Sequence, residues 1–266
     1  MTLTEIDIYP VKSMRGLSLA DCAVAPMGLA GDRRWMVIDA ADRFVTGRLL
    51  GALTQCRPTL SDDGVRLTFG ADEIDVPWPS AGAERDVVVW KDTVTVRDAG
   101  DAAAAWLTER MGRPLRLVYQ HDTRSRPISG SHRLSDTDTV SLADGYPLLA
   151  TTTASLAELN GRLGAAPVTM RHFRPNLVID TDEPFVEDTW NTVQVGDARF
   201  AAVSACARCI FTTVDPQTGL RRDDGEPMQT LRGYRQDADT KKIFFGVNLI
   251  PLTVGTLCVG DAVSVS

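Results

Sequence analysis

The chain has 266 residues, 44% of them hydrophobic and 24% charged, with a formal net charge of -7. That is room for one large or two ordinary domains around a sizeable core. The acidic balance argues against a nucleic-acid protein, and without a long apolar run there is no transmembrane span.

The first hundred residues read as strands. "TEIDIYPVKS" sets Ile6 and Ile8 on one face and breaks at Pro10, and "RRWMVID" (33 to 39) is a second short apolar run. "RPTLSDDGVRLTFG" predicts a hairpin turning at Asp63-Gly64, and "RDVVVWKDTVTVRD" another turning at Lys91-Asp92. Their Val and Thr content favours sheet over helix. "DAGDAAAAWLTERMG" predicts a helix with Asp98 or Asp101 at its cap, Gly112 as its stop and Pro114 beyond. "LRLVY" (115 to 119) returns to strand. Residues 120 to 140 are polar and read as a loop, the best place for a domain boundary or the rim of a site. The boundary set there divides the chain into 1–119 and 120–266.

In the second half, Ser155 and Glu158 fit a capping box for a short helix ended by Gly164. "RPNLVID" is a strand. "NTVQVGDARFAAVSAC" and "LTVGTLCVGDAVSVS" each read as strand, Val-Gly-Asp turn, strand, the pattern of half a β-barrel. Strands far outnumber helices and few helices separate strands. The expected class is therefore mainly β (α+β), not a Rossmann or TIM architecture.

"SACARCIFTTVDPQTG" (204 to 219) holds a C-x-x-C. A closed zinc site needs four ligands, yet Cys22, Cys56 and Cys258 are single and His121, His132 and His172 are isolated. A redox dithiol wants a helix N-terminus, and "IFTTVDP" after Cys209 does not read as one. Two readings stay open: a pair of small buried cysteines at a strand end, or a single thiolate at Cys209 ligating a soft metal centre beside Arg208. Five cysteines, an odd number, make no disulfide framework. With no signal-peptide pattern in Met1 to Ile8, a reducing cytoplasm is the expected compartment.

Three strand entries are basic. "PVKSMRG" (10 to 16) puts Lys12-Ser13 at a strand end without the glycines of a P-loop, so nucleotide binding is unsupported, while phosphate contact and a solvated lysine both fit. "GDRRWMV" points Arg33 or Arg34 inward, where a guanidinium needs an anion, either a carboxylate or a ligand. "RHFRPNLVI" adds Arg171, Arg174 and Asn176. No single entry is specific, but the three together are expected to build one anion pocket in a net acidic protein. No Gly-x-Ser-x-Gly occurs and no nucleophilic triad is evident. His132 reads as a loop residue and His172 as structural.

Taken together, "IYPVKSMRGLSL", "GDRRWMVID", "DGYPLL", "FRPNLVI", "ARCIFTTVDPQTG", "LRGYRQ", "FGVNLI" and "VGD" resemble the MOSC-domain family. Within it they look like the subgroup of the mitochondrial amidoxime-reducing component and its bacterial relatives. The resemblance implies an N-terminal β-rich domain and a MOSC β-barrel domain with a few short helices. It implies that Cys209, not Cys206, ligates molybdenum, Cys206 being a packed neighbour. By the same resemblance Lys12, Ser13, Arg33, Arg174 and Arg208 bind the molybdenum cofactor (Mo-molybdopterin). Tyr146, Asn176 and Asn248 add to that set, Asn248 standing where the mitochondrial members have tyrosine. Asp144, in "DGYP", matches an acid near the metal that relays protons.

The implied activity is two-electron reduction of N-hydroxylated compounds (hydroxylamines, N-hydroxylated bases, amidoximes) to amines or amidines. The alternative is a non-catalytic carrier of the molybdenum cofactor or a sulfur-handling module. Some bacterial relatives carry a C-terminal ferredoxin domain with C-x4-C-x2-C spacing; this chain stops at Ser266 without such cysteines. Electrons are therefore expected from a separate ferredoxin or a flavin/NAD(P)H reductase. The N-terminal membrane anchor of eukaryotic relatives is also missing, so no membrane attachment is expected.

Overall fold

Leu3, Ile6 and Ile8 all enter one apolar core, although Leu3 and Ile6 are an odd number of residues apart. A register shift between Leu3 and Glu5 in the first strand, Thr2–Ile8, reconciles them by turning the chain over once. The computed structural model describes residues 1–121, 126–128, 132–164 and 166–266, so part of the expected 120–140 loop lies outside the described residues. Of that loop, Arg126–Pro127 and Thr139–Val140 pair as a short antiparallel ladder.

The largest sheet has eight strands. In spatial order they are Leu17–Leu19, Thr2–Ile8, Leu177–Asp180, Leu148–Thr152, Phe244–Pro251, Ala198–Ala207, Thr192–Val195 and Val263–Val265. The Thr2–Ile8 strand thus pairs with the second half of the chain. All neighbours are antiparallel except Leu148–Thr152 with Leu177–Asp180, which the helix Thr153–Leu163 connects. A second sheet sets Trp35–Ile38, Arg116–Tyr119, Asp92–Asp98 and Glu84–Val89 side by side, and Arg57–Ser61, Gly64–Phe69 and Asp72–Pro77 form a meander. The helix Asp101–Met111 closes this N-terminal core over Val11, Trp35, Leu53 and Leu117. With three α-helices among the described residues, the fold is mainly β of the α+β class, with a β-rich N-terminal part, as the alternating sequence pattern and the resemblance imply.

Several local expectations shift by a residue or a partner. The hairpins turn at Asp62-Asp63 and Trp90-Lys91, one residue earlier than expected. Gly64 begins a strand instead: at φ 155 a Cβ at this position would meet Val76 O at 2.0 Å, so glycine is needed where the third strand passes. "LTVGTLCVGDAVSVS" is not a hairpin, because Gly255–Cys258 pairs with Asp21–Ala25 while Val263–Val265 pairs with Thr192–Val195. The cap of the helix Thr153–Leu163 is Thr152, whose hydroxyl accepts from Ser155 N at 3.2 Å. Ser155 spends its own hydroxyl on the fully buried Glu187 carboxylate, at 2.8 Å.

Neither aspartate caps the helix Asp101–Met111; Gly100 does. Asp98, 5% exposed, is held by Arg116 at 2.6 Å, Arg85 at 2.6 Å and the Gly100 amide at 2.8 Å. Burial works to raise its carboxyl, but those donors prevail and hold it at about 2. The folded value lies below the unfolded value of about 3.9, so the stabilisation is present above about pH 4 and lost as pH falls towards 2. Asp98→Asn is expected to cost about 2 kcal/mol at pH 7, since it removes the buried carboxylate that Arg85 and Arg116 share and leaves each only its exposed acid, Asp42 or Asp101. Thermal midpoints of parent and variant should converge as the medium is acidified; equal midpoints at pH 7 would contradict the assignment.

Candidate functional site

The Ala198–Ala207 strand carries two register shifts, at Ala202/Ser204 and Ala205/Ala207, where it runs beside Phe244–Pro251. Bulges re-aim side chains and loosen a ladder, and they gather beside functional sites. This stretch lines a cleft of about 1100 Å³, just above the range of roughly 300–1,000 Å³ usual for small-molecule sites. There is room for a large ligand and a second molecule. The ten residues that the resemblance implied for the site line it: Lys12, Ser13, Arg33, Asp144, Tyr146, Arg174, Asn176, Arg208, Cys209 and Asn248. Arg171, expected in the same anion pocket, is exposed outside it and donates to Ser18 Oγ at 3.2 Å.

The backbone is strained where it meets this cleft. Of seven non-glycine residues with positive φ among those described, Ser13, Arg33, Trp90 and Arg174 line it, with φ of 70, 48, 59 and 56°. Each costs on the order of 1 kcal/mol, and such costs collect where side-chain placement matters more than stability.

The cations of the cleft differ in how their charge is met. Arg33, the inward member of its pair, has found its anion inside the chain. Its Nη1 donates to Asp32 Oδ2 at 2.6 Å and to Asn176 Oδ1 at 3.1 Å, and its Nη2 to Arg174 O at 3.1 Å. Lys12 is buried and donates to Leu142 O at 2.7 Å and Asp144 Oδ1 at 2.5 Å. Burial lowers the lysine's hold on its proton, partly offset by Asp144. The Asp144 side chain is 68% exposed to the open cleft. Desolvation by the surrounding protein works to raise its carboxyl, but Lys12, the Trp90 indole N–H at 3.1 Å and Arg33 hold it well below the usual carboxylate range.

Arg174 and Arg208 have no ion pair among the described residues. Arg174 Nη1 donates to Met14 O at 2.7 Å, and its guanidinium lies 4.0 Å from the Tyr9 ring, with Arg33 at 4.5 Å from that ring. Its Nη2 is buried without a hydrogen-bond partner, and burial lowers Arg174 to about 10. Arg208 Nη2 donates to Phe173 O at 2.6 Å while its Nε has no partner. Both side chains are half-buried with one buried nitrogen unpartnered, so an anion that reached them would be favoured.

The two cysteines separate cleanly. Cys206 is half-buried and its Sγ accepts from Arg208 Nη1 at 3.0 Å, so Arg208 serves Cys206 rather than its neighbour in sequence. Cys206 is therefore not merely packed; it lines the cleft. Cys209 is exposed and caps a short 3-10 turn, Ile210–Thr213, through its backbone carbonyl, leaving its thiol unengaged. The "IFTTVDP" stretch thus does start one helical turn, too short for a dithiol site. Among the described residues no three His, Cys, Asp or Glu side chains gather as a metal cage.

Reading the sequence missed several members of the wall. Arg48, Trp90, His132, His172 and Lys242 line the cleft. Trp90 reads as a strand residue but sits at a hairpin tip under the Arg48 guanidinium, 4.4 Å away. His172 is buried, with Nε2 unpartnered, and burial lowers its pKa. For Arg33 the missed partner was adjacent: Asp32 in "GDRR". Nothing in the sequence signals the others.

Residues 1–114 match the MOSC N-terminal beta barrel domain, and residues 137–264 match the MOSC domain. Human mitochondrial amidoxime-reducing component 1 is 35% identical over 280 aligned positions, covering 98% of this chain and 82% of that protein. The chain belongs to the MOSC-domain family, beside the amidoxime-reducing components. Rat and bovine mitochondrial amidoxime reducing component 2 are 33% and 34% identical, each covering 98% of this chain and 82% of the relative. These relatives are named mitochondrial, which overturns the cytoplasmic expectation. Unpaired cysteines indicate only a reducing compartment, and more than one compartment is reducing. No helix among the described residues is long and apolar enough to cross a membrane.

Proposed function

We propose that this MOSC-family protein is a molybdenum-cofactor-dependent oxidoreductase. It reduces N-hydroxylated compounds (hydroxylamines, N-hydroxylated bases and amidoximes) to amines or amidines, with electrons from a separate protein. The observation that carries the reading is one cleft holding an unengaged exposed thiol, Cys209, together with two guanidiniums that lack an anion, Arg174 and Arg208. The names of its relatives support the substrate class.

The residues present fit the cofactor. A soft thiolate suits molybdenum, and the unpartnered Arg174 Nη2 and Arg208 Nε suit an anionic pterin phosphate. In this reading Cys209 ligates the metal, while Arg174, Arg208, Lys12, Ser13 and Arg33 hold the pterin and its phosphate. Tyr146 and Asn248 meet its polar edges, Asn248 being already oriented by Ser204, 3.1 Å from its Nδ2, while Asn176, its amide bonded to Arg33, Leu149 N and Asp7 O, braces Arg33 from behind. When bound, the cofactor supplies the two-electron change that N–O cleavage requires. The chain's own part is placement and protons. Lys12 Nζ donates to Asp144, which holds the lysine's end at the cleft wall, so the Lys12–Asp144 pair rather than Asp144 alone is the relay in this reading. The division at 119/120 belongs to the same proposal, the Thr2–Ile8 strand excepted, since it pairs across it.

The test is turnover. Cofactor-loaded protein with dithionite-reduced methyl viologen should convert benzamidoxime to benzamidine over many cycles and keep its molybdenum. A protein that shows no turnover and surrenders the cofactor to a cofactor-free molybdoenzyme is a carrier, and the reductase reading fails.

A further inference from the structure

Leu49 and Leu220 are the two most exposed large hydrophobic side chains among the described residues, at 81% and 71%. They lie far apart in sequence but on adjoining loops. A Cβ built on Gly51 would stand 2.1 Å from Gly219 O, so the two loops touch where neither can carry a side chain. Both loops also reach the cleft: Thr46 and Arg48 precede Leu49 in its wall, and Cys209, Phe211 and Thr212 lead towards Leu220. Ile210, next to the proposed metal ligand, is exposed as well.

The charge around these leucines opposes that of the whole chain, which is -7. Arg15, Arg48, Arg57 and Arg221 form no ion pair among the described residues. Arg15 reaches the Leu220 loop directly, its Nη2 donating to Pro216 O at 3.2 Å, and it stands close enough to Arg57 to be repelled by it. Of the acids named in this stretch, Asp224 is neutralised by an arginine, while Asp215 is fixed by amides and stays ionised. Asp215 accepts from the Gln217 and Thr218 amides at 2.7 and 3.0 Å, and Asp224 is bound to Arg222 at 2.7 Å. Asp223 alone there makes no such contact. An apolar centre inside a basic rim fits a partner with an apolar centre and an acidic rim.

We propose that the Leu49 and Leu220 loops are the docking surface for an acidic electron-carrier protein, which delivers electrons at the mouth of the cleft beside Cys209. This rests on the reductase reading above. Each turnover takes R–NH–OH, two electrons and two protons to R–NH2 and water, so two reduced one-electron carriers dock and leave oxidised. A lipid surface is the weaker occupant: the leucines sit on two tight loops, not on the apolar face of an amphipathic helix.

The test uses the cofactor-loaded full chain and its Leu49→Asp, Leu220→Asp and Arg221→Glu variants, with two donors. Reduced methyl viologen needs no docking, whereas reduced plant-type [2Fe–2S] ferredoxin is an acidic protein. The ferredoxin KM should rise about tenfold or more in each variant and rise with salt in the parent, with viologen turnover within about twofold. Unchanged ferredoxin KM in the leucine variants overturns the proposal. So does co-sedimentation with phosphatidylserine vesicles that Leu49→Asp abolishes, which would assign the surface to lipid. A parent inert with viologen defeats the reductase reading separately. Calorimetric titration with ferredoxin then still decides the surface: binding weakened by Leu49→Asp sustains it, and equal or absent binding overturns it.

Discussion

Cys209→Ala is expected to strip the protein of molybdenum and to cut viologen-driven turnover at least about a thousandfold, because the ligand that anchors the reacting centre is gone. The rest of the fold should not notice. Cys209 is exposed and its thiol makes no hydrogen bond among the described residues, so alanine leaves neither a cavity nor an orphaned donor. Cys206→Ala is the paired control. That sulfur already accepts from Arg208, and its loss frees a guanidinium without removing a metal ligand. It should keep its molybdenum at near-parental content. Loss of metal from Cys206→Ala with retention in Cys209→Ala would transfer the role to the other sulfur.

Arg174→Met should act in opposite directions on the loaded and empty protein. Arg174 has no ion pair among the described residues, is lowered to about 10 by burial, and leaves Nη2 without a partner. Methionine keeps the stem against Tyr9 and removes the unmet charge, so the cofactor-free chain should gain about 1–2 kcal/mol. The same change deletes a charge-assisted bond to an anionic ligand, and cofactor retention should fall about 10- to 100-fold. Scanning calorimetry of the empty chain and pterin fluorescence after dialysis of the loaded chain read the two effects. A destabilised empty chain with unchanged retention would make Arg174 a structural residue only. Arg33 is the useful contrast, since Asp32 already meets its charge and it should matter less for retention than for holding Asn176 and the Arg174 backbone.

Much of the site was legible because its members are strand entries and exits, where short motifs stay contiguous in sequence. "PVKS", "GDRR", "FRPN" and "ARCI" each deliver their residues to one cleft. Alternating apolar runs punctuated by turn residues led to the β-rich class. What stayed hidden depends on closure in three dimensions. Trp90 looks like one more strand residue until the hairpin folds its indole onto Asp144. Asp98 looks like a helix cap until Arg85 and Arg116, distant in sequence, converge on it. Ser155 looks like a cap until a buried Glu187 claims its hydroxyl. The repeat-like "VGD" units diverge for the same reason: the same three residues at each turn, but one pair of strands finds each other and the other finds separate partners. Local chemistry specifies turns and strand faces; which polar side chains are satisfied by which neighbours is settled only by packing.

X-ray absorption at the molybdenum edge tests the central claim most directly. With Cys209→Ser loaded under the same conditions, the parent's sulfur shell should exceed the variant's by one atom. Identical sulfur shells would mean that the thiol of Cys209 does not touch the metal.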